Sequence, residues 1–318
     1  METLSSIKNK LIFSIALAAL VFAALSFYGE FDSIVEAFKS FPWVYLPVML
    51  GLATSNFFLR FLKWHYYLSL INVNLSKKES ALIFVSGLSM SITPGKFGEL
   101  LKPYLIKELN GTPVSRSAPV VLAERFTDFV AVLILSTFGI FSFQYGVKVF
   151  VLSLIIMFII LVMVTQKKLM EKLISLTGRL SSVSRFTSKI EAAYESTYRL
   201  LLPVPLLVAT ILSIAAWFCE CYAFYLALSG LALKSTLFQA TFVYAFATLV
   251  GAVSMLPGGL GATEGSMTGL LVMLFKETRH GAVAATLIIR LCTLWYAVLI
   301  GVLALLGGHS FFRKNKKT

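Results

Sequence analysis

The amino-acid sequence predicts an all-α polytopic membrane protein with two inverted-topology repeat units, each containing a broken, re-entrant helical hairpin. Of its 318 residues, 58% are apolar and 14% are charged, and the mean hydropathy is +0.85. Several apolar runs approach the roughly 20 residues that a helix needs to cross a bilayer. Two proline-glycine elements interrupt apolar sequence. We therefore expect one integral membrane domain, 1–318, in which extra helices accompany the repeat units.

The two proline-glycine elements share the pattern S-x-x-P-G-x-x-G, at Ser91–Gly98 and at Ser254–Gly261. Proline and glycine break a membrane helix, because proline lacks an N–H and glycine favours other conformations. Broken backbone at membrane depth persists only where protein buries it or where it lines a wet cavity. An apolar helix with one arginine follows each element: Arg125 lies 31 residues after the first proline, and Arg290 lies 33 after the second. This spacing indicates an internal repeat.

The predicted elements follow from the apolar runs and the breaks between them. Repeat unit one, about 44–143, holds a second span, a short helix, a returning segment and a long helix. Repeat unit two, about 205–306, holds two spans around the second break. In chain order, the predicted elements are span 1 (11–27), an outer loop (29–42), span 2 (44–70), a short helix (80–92), a returning segment (99–109), a long helix (119–143), span 4 (147–165), a cytosolic amphipathic connector (166–200), span 5 (205–228), an outer loop (276–280) and span 6 (283–306).

Basic residues orient this topology. Of the 28 lysines and arginines, 18 fall in segments on one side, five on the other side and five at membrane depth. The side rich in lysine and arginine is cytosolic, so both termini are expected in the cytosol and the protein in the cell (inner, cytoplasmic) membrane. The net charge of +13 therefore encodes orientation and does not predict nucleic-acid binding. The first hairpin would enter from inside and the second from outside, as in inverted repeats. Alternatively, each hairpin crosses as two kinked helices, which gives up to ten crossings.

Three motifs resemble a known family. T-P-G-K-F-G-E-L-L-K-P-Y (Thr93–Tyr104), A-E-R-F-T-D (Ala123–Asp128) and L-P-G-G-L-G-A-T-E-G (Leu256–Gly265) look like the flippase-like family. This is the transmembrane region of lysylphosphatidylglycerol synthases, and the resemblance covers about 11–306. It implies movement of a lipid between leaflets, and stand-alone relatives are linked to polyprenyl-phosphate sugars, hopanoids or phospholipids. The sequence ends at Thr318 without a synthase domain, so no aminoacyl transfer is expected.

Arg125 and Arg290 are the leading candidates for contact with a lipid phosphate, because arginine presents a planar fork that matches phosphate oxygens. Arg125 could instead pair with Asp128 or Glu124 on its own helix and only tie the bundle together. Arg290 has no acid within one turn, so its partner is expected from elsewhere: Glu264 or Glu220. The candidate headgroup-binding residues are Arg125, Arg290, Lys96, Glu99, Glu264, Gly95, Gly98, Gly258, Gly259 and Gly261, and the supporting charges are Glu124, Asp128, Glu220 and Arg60.

Several of these residues have a structural alternative. Lys96 and the amides around Gly95–Gly98 would give positive potential at a broken helix end, or Lys96 is an interfacial lysine. Glu99 and Glu264 could pair with the cations, take up a proton, or cap a broken helix. Glu220 lies in mid-span and is expected to reach water least. Lys63 is expected to snorkel towards water.

The aromatic cluster beside Lys63 is also interpreted structurally. Trp64, Tyr66 and Tyr67 are expected to form an interfacial belt. The three cysteines, Cys219, Cys221 and Cys292, lie in apolar spans and are expected to be structural thiols.

No catalytic set, nucleotide loop or metal-ligand spacing is recognisable in the sequence. We therefore expect a non-enzymatic lipid transporter without a cofactor, which moves a polyprenyl-phosphate glycolipid or a phospholipid. The alternative is a non-catalytic membrane partner of a glycosyltransferase or a lipid-synthesis enzyme. A membrane enzyme acting on lipids is the third hypothesis, and it would need a catalytic group that the sequence does not reveal. The expected partner is a membrane lipid, and the sequence is compatible with a homo-oligomer.

Overall fold

The computed structural model describes residues 16, 19–93, 98–137, 151, 155 and 187–314, with side chains left out at 187 and 309–314. Within these residues all regular secondary structure is helical, as the sequence predicts. Apart from Val151 and Ile155, the predicted span 147–165 lies outside the described residues, as do residues 166–186 of the predicted connector and Pro94, Gly95 and Lys96.

The first helices lie before the first repeat unit. Helix α1 covers Ala19–Tyr28, and α2 covers Phe31–Ser40 inside the segment predicted as an outer loop. That prediction missed α2, whose apolar residues recur at helical spacing. The buried Ile34 on this face packs against Val283 and Leu287.

The first repeat unit contains α3 (Tyr45–Leu70), α4 (Lys77–Leu88), α5 (Leu101–Asn110) and α6 (Val114–Ser136). Helix α3 agrees with the predicted span 44–70. Helix α6 begins five residues before Pro119, where the prediction placed its start, so this proline lies inside the helix. The break between α4 and α5 contains the first proline-glycine element.

The second repeat unit follows α7 (Thr187–Leu200), which is the described part of the predicted connector. It contains α8 (Pro203–Gly230), α9 (Leu237–Val253), a 3-10 turn (Pro257–Gly259), α10 (Ala262–Phe275) and α11 (Arg279–Arg290). A π-helical turn, Leu291–Trp295, joins α11 to α12 (Tyr296–Lys314). Proline at the start of α8 has no N–H to leave unpaired, which suits the first turn of a helix.

The corner after the first long helix has the same local structure in both units. Asn72 and Ala232 adopt left-handed backbone with φ of 55° and 54°. The next residue in each unit donates its N–H to the carbonyl five residues earlier, at 3.0 Å in both. Ser76 and Thr236 then cap the next helix, each accepting a hydrogen bond from the backbone N–H three residues on. The internal similarity therefore extends beyond the proline-glycine motif to the turn geometry.

Helices α3 and α8 hold corresponding places in the two units and pack antiparallel along their length. A Cβ on Gly230, at the end of α8, would lie 3.1 Å from the side chain of Tyr45 at the start of α3. Near the middle, the Asn56 amide donates to the Ala216 carbonyl at 2.9 Å. The residue numbers rise along one helix as they fall along the other, so α3 and α8 run in opposite directions.

The two broken elements meet in the interior. A Cβ on Gly258, in the second break, would lie 3.5 Å from Cα of Ile92 in the first. Helix α12 crosses behind them so closely that any Cβ on Gly301 would collide with the backbone of Ser89 at the end of α4. At Ile92 and Gly258 the described backbone of the two breaks is thus buried by neighbouring parts of the chain, as irregular backbone in an apolar medium requires.

Three described helical stretches are long and apolar enough to cross a membrane: Tyr45–Leu70, Pro203–Gly230 and Arg279–Gly308. Many large apolar side chains on these stretches are exposed, including Phe58, Ile211 and Leu303 at 57–60% of their full surface. An exposed apolar surface of this kind suits contact with lipid chains. The fold is therefore that of an all-α membrane protein.

Candidate functional site

A cavity of about 300 Å³ lies where the two broken elements meet. Its walls come from α3, α6, α8 to α12, both broken elements and the π-helical turn, with Ser91 as the lining residue from the first broken element. Seven residues singled out from the sequence line it: Arg60, Arg125, Asp128, Glu220, Gly258, Gly259 and Arg290. Glu99, Glu124, Glu264, Gly98 and Gly261 do not line it. The first three of these instead pair with basic side chains in or behind its wall.

The first-unit charge cluster consists of four cations and three acids on α3, α5, α6 and the residues before α5: Arg60, Lys63, Lys102, Arg125, Glu99, Glu124 and Asp128. Arg125 Nη2 lies 3.1 Å from Glu99 Oε2 and 3.4 Å from Asp128 Oδ2. Arg60 Nε is 3.9 Å from the same Asp128 oxygen. Asp128 is therefore shared by several cations, and its Oδ2 is held by long contacts.

Lys63 is a correction to the sequence-based interpretation, which expected this residue to snorkel towards water. Its side chain is fully buried. The ammonium donates to Asp128 Oδ1 at 2.6 Å and to Ser213 Oγ at 2.7 Å. A buried ammonium requires a charged partner and further hydrogen bonds, and Asp128 and Ser213 supply them. Snorkelling is excluded because α6 and α8 cover the side chain.

Lys102 is the functional candidate that the sequence analysis missed, since it was counted among the cytosolic basic residues. The structure buries it, with its ammonium 2.6 Å from Glu124 Oε2 and 4.4 Å above the ring of Trp64. The spacing of three residues from Glu99 was the available signal, and the two side chains lie 3.8 Å apart.

The structure also contradicts the predicted interfacial aromatic belt. Trp64 and Tyr67 are completely buried, and Tyr66 is half-buried. Trp64 and Tyr67 belong to the hydrophobic core around α3 and α4. An interfacial belt requires side chains that reach the headgroup region, so these two residues act as core packing.

The second-unit charge pair is Arg290 and Glu264. Arg290 Nε donates to Glu264 Oε1 at 2.6 Å, and Nη2 donates to the Gly258 carbonyl at 2.7 Å. The other carboxylate oxygen of Glu264 accepts the Gly261 N–H at 2.7 Å. Of the two acids proposed as partners for Arg290, the structure pairs it with Glu264. The pair thereby holds the second break at both its turn and the start of α10.

Glycine is required in the second break by backbone conformation. Gly258, Gly259 and Gly261 all have positive φ, at 60°, 68° and 84°. Glycine enters this region without the steric cost that a Cβ imposes. In the first break, Gly98 is needed for space instead, since a Cβ there would lie 2.6 Å from Thr93. The Thr93 hydroxyl accepts the Gly98 N–H at 2.9 Å.

Glu220 lies on the cavity wall, although the sequence analysis expected it to be the candidate furthest from water. Its Oε2 accepts a hydrogen bond from the Tyr244 hydroxyl at 2.7 Å, and both residues line the cavity. The three cysteines are free thiols, with Cys221 and Cys292 buried and Cys219 half-buried. In the described part of the chain, no group of three His, Cys, Asp or Glu side chains could hold a metal ion.

Comparison with known proteins identifies relatives along almost the whole chain. Residues 11–301 match the family described as lysylphosphatidylglycerol synthase TM region. A UPF0104 membrane protein of Methanothermobacter thermautotrophicus is 25% identical over 314 residues, which cover 91% of this chain and 90% of the relative. A UPF0104 membrane protein of Pyrococcus horikoshii is 27% identical over 287 residues, covering 80% and 82%.

The family match and the three long apolar helices agree with the resemblance that the motifs indicated. The match includes both broken elements and the arginine-bearing helices that follow them. The protein therefore belongs to the lysylphosphatidylglycerol synthase TM region family of membrane proteins.

Proposed function

We propose that this protein moves a phosphate-containing lipid, either a polyprenyl-phosphate glycolipid or a phospholipid, between membrane leaflets without catalysing a covalent step. One observation carries the proposal: the cavity between the two broken elements has an arginine from each unit in its wall. A lipid transporter must shelter a charged headgroup inside an apolar membrane. Charged side chains at membrane depth are energetically costly, so their presence there usually marks a functional site.

The charge balance of the site supports a headgroup role. Five basic side chains and five acids lie in or directly behind the cavity wall: Arg60, Lys63, Lys102, Arg125 and Arg290, with Glu99, Glu124, Asp128, Glu220 and Glu264. Balanced charge keeps the empty cavity near neutral. A phosphate that enters can then exchange contacts with the acids, which is less costly than burying a new charge alone.

The lipid tail has a route out of the cavity. Met255 and Leu256, just before the second break, line the cavity and keep 53% and 42% of their surface exposed. Apolar side chains that are exposed in a membrane protein contact lipid chains. A headgroup in the cavity could therefore keep its tail beside these two residues, in the hydrocarbon phase.

The architecture supports an alternating mechanism. Two units with the same order of elements, whose first long helices run antiparallel, suit an inverted repeat, and such repeats expose one central site to either side in turn. We place both termini in the cytosol on the basis of the basic residues. The substrate lipid is the proposed partner, and the protein acts in the cell (inner, cytoplasmic) membrane, where a glycosyltransferase or lipid-synthesis enzyme could supply that lipid.

The test is leaflet-to-leaflet movement in proteoliposomes, followed with fluorescent phosphatidylglycerol and a short-chain polyprenyl-phosphate sugar. Wild type is compared with Arg125→Gln, Arg290→Gln and Glu264→Gln. Arg199→Gln is the matched control, because Arg199 forms an exposed pair with Glu195 on α7. We expect movement by the wild type and by the control, and a loss in the variants of Arg125, Arg290 and Glu264 when folding is preserved.

The same assay can overturn the proposal. If wild type moves neither lipid faster than empty liposomes do, transport of these lipids is excluded. Crosslinking in native membrane would then test whether the chain is a partner of a glycosyltransferase or a lipid synthase. Equal lipid movement by wild type and all variants would show that transport does not depend on these charged side chains.

A further inference from the structure

Four buried donor atoms on three residues of the cavity wall have no hydrogen-bond partner among the described residues: Arg60 Nε, Arg125 Nε and Nη2, and Trp217 Nε1. Arg60 and Trp217 are only 9% and 7% exposed. All three residues line the cavity. Buried N–H groups are nearly always hydrogen-bonded in folded proteins, so this set calls for an acceptor that enters the cavity.

Asp128, the acid that the two arginines share, does not form a hydrogen bond with either of them. Asp128 Oδ1 is engaged by the ammonium of Lys63 at 2.6 Å and by the hydroxyl of Ser213 at 3.0 Å. Asp128 Oδ2 faces the arginines at 3.4 and 3.9 Å and has no hydrogen bond. One oxygen is therefore fixed, while the other makes only long contacts that a ligand oxygen can replace.

Arg290, in contrast to Arg60 and Arg125, has hydrogen-bond partners for its described donors. Its Nε is committed to Glu264 and its Nη2 to the Gly258 carbonyl, both at hydrogen-bonding distance. A ligand that took these donors would release the turn of the second break. The charge balance points the same way, because the first-unit charge cluster has four cations and three acids, whereas Arg290 is matched by the one acid Glu264.

We infer that the lipid phosphate binds between Arg60 and Arg125, with the Trp217 N–H as a third donor, and that Arg290 is a positioning residue for the second break. This inference rests on the proposed function and assigns the headgroup to one side of the cavity. A phosphodiester carries one negative charge on two non-bridging oxygens. Arginine forks bind such oxygens with paired, charge-assisted hydrogen bonds. The excess positive charge of the first-unit charge cluster matches that single negative charge.

Binding to the full-length protein in detergent tests this assignment without requiring transport. Three probes are titrated: dioctanoyl phosphatidylglycerol, dioctanoylglycerol without phosphate, and inorganic phosphate. Trp217 supplies a fluorescence readout, with Trp217→Phe identifying its share of the signal. We expect phosphatidylglycerol to bind and dioctanoylglycerol to bind much more weakly.

The variants separate binding from positioning. Arg60→Lys and Arg125→Lys keep the charge but lose the fork, and we expect each to raise the Kd about tenfold, as for loss of one charge-assisted hydrogen bond. Arg290→Lys should lower the Tm and leave the Kd unchanged. Arg116→Lys is the control: Arg116 also lies on α6, but its guanidinium donates to the Ile71 carbonyl away from the cavity.

Several results would overturn the inference. One is a Kd for phosphatidylglycerol that rises for Arg290→Lys but not for Arg60→Lys. Another is a wild type that binds inorganic phosphate but not phosphatidylglycerol, and a third is a wild type that binds neither. If Arg60→Lys and Arg125→Lys leave the Kd unchanged while wild type still moves lipid in proteoliposomes, the assignment to Arg60 and Arg125 fails and the proposed function stands. If binding follows the expected pattern but no lipid moves, the phosphate site stands and transport fails.

Discussion

The two charged regions of this protein are built from the same residue types but are connected in different ways. In the second-unit charge pair, Arg290 and Glu264 each bind the other and a backbone group of the break. In the first-unit charge cluster, Asp128 faces three cations and Arg125 faces two acids. One region is a closed pair, and the other is a network with shared partners.

The difference indicates how each region can serve a moving lipid. A closed pair in which Arg290 Nε and Nη2 are both hydrogen-bonded holds one backbone geometry, and losing a partner leaves a buried charge alone. A shared network can lose one contact and keep others, so it can exchange acids for a ligand. The second-unit charge pair is therefore suited to holding a turn, whereas the first-unit charge cluster is suited to binding.

Glu264→Gln tests the closed pair and has the largest expected effect. Arg290 would lose the only acid described as its partner, and breaking a buried pair typically costs about 3–5 kcal/mol. We expect the free energy of unfolding in detergent to fall by this amount, measured by denaturant titration. Glu195→Gln, which breaks an exposed pair on α7, is the control and should change stability by less than about 1 kcal/mol. Similar losses in the two variants would contradict a closed structural pair.

Gly259→Ala tests whether the second break is held more tightly than the first. A Cβ at Gly259 would lie 2.5 Å from Thr263 Oγ1 and 3.1 Å from Cα of Gly251, in a backbone with φ of 68°. Left-handed strain and overpacking together are expected to cost roughly 2–4 kcal/mol of stability. At Gly98 a Cβ would meet Thr93 at 2.6 Å and Met90 Cβ at 2.8 Å, but the backbone has no positive φ, so Gly98→Ala carries overpacking without left-handed strain and should cost less. A larger loss for Gly98→Ala in the same denaturant titration would reverse the comparison.

The sequence was sufficient to predict an all-α membrane protein and its long helices. The span predicted at 44–70 is α3, and the span predicted at 205–228 is α8 with two further residues at each end. Long apolar runs carry this information locally. Helix α2 was missed because a ten-residue amphipathic helix between two breaks has the same acidic, loop-like composition as an outer connection.

The candidate site was only partly predictable. The lack of an acid on its own helix predicted a distant partner for Arg290, either Glu264 or Glu220, and the structure pairs it with Glu264. Lys63 and Lys102 could not be placed, because a lysine near a helix end has the same local sequence whether it reaches water or is buried. Their burial depends on acids of another helix, Asp128 and Glu124 on α6, and that distance is set by tertiary packing.

Glu99→Gln tests the redundancy of the first-unit charge cluster and should have a smaller effect. Arg125 keeps Asp128 at 3.4 Å, and Lys102 keeps Glu124 at 2.6 Å. The expected loss of stability is about 1–3 kcal/mol, the cost of weakening one charged contact. Denaturant titration beside Glu264→Gln gives the comparison directly. A loss as large as that of Glu264→Gln would show that the network has no spare partners.

Two exposed helical glycines provide the smallest and most sensitive comparison of the units. A Cβ added to Gly51 on α3 or to Gly265 on α10 would meet no atom within 4 Å, and neither glycine has positive φ. Alanine reduces the conformational entropy of the unfolded chain, so each change should raise stability by about 0.5–1 kcal/mol. Equal gains in the thermal unfolding of Gly51→Ala and Gly265→Ala would mean that both units tolerate helical changes alike. The difference in stability between Glu99→Gln and Glu264→Gln would then come from the charged groups themselves. If only one of the two alanine variants loses stability, that difference would instead come from the backbone of the unit that carries it.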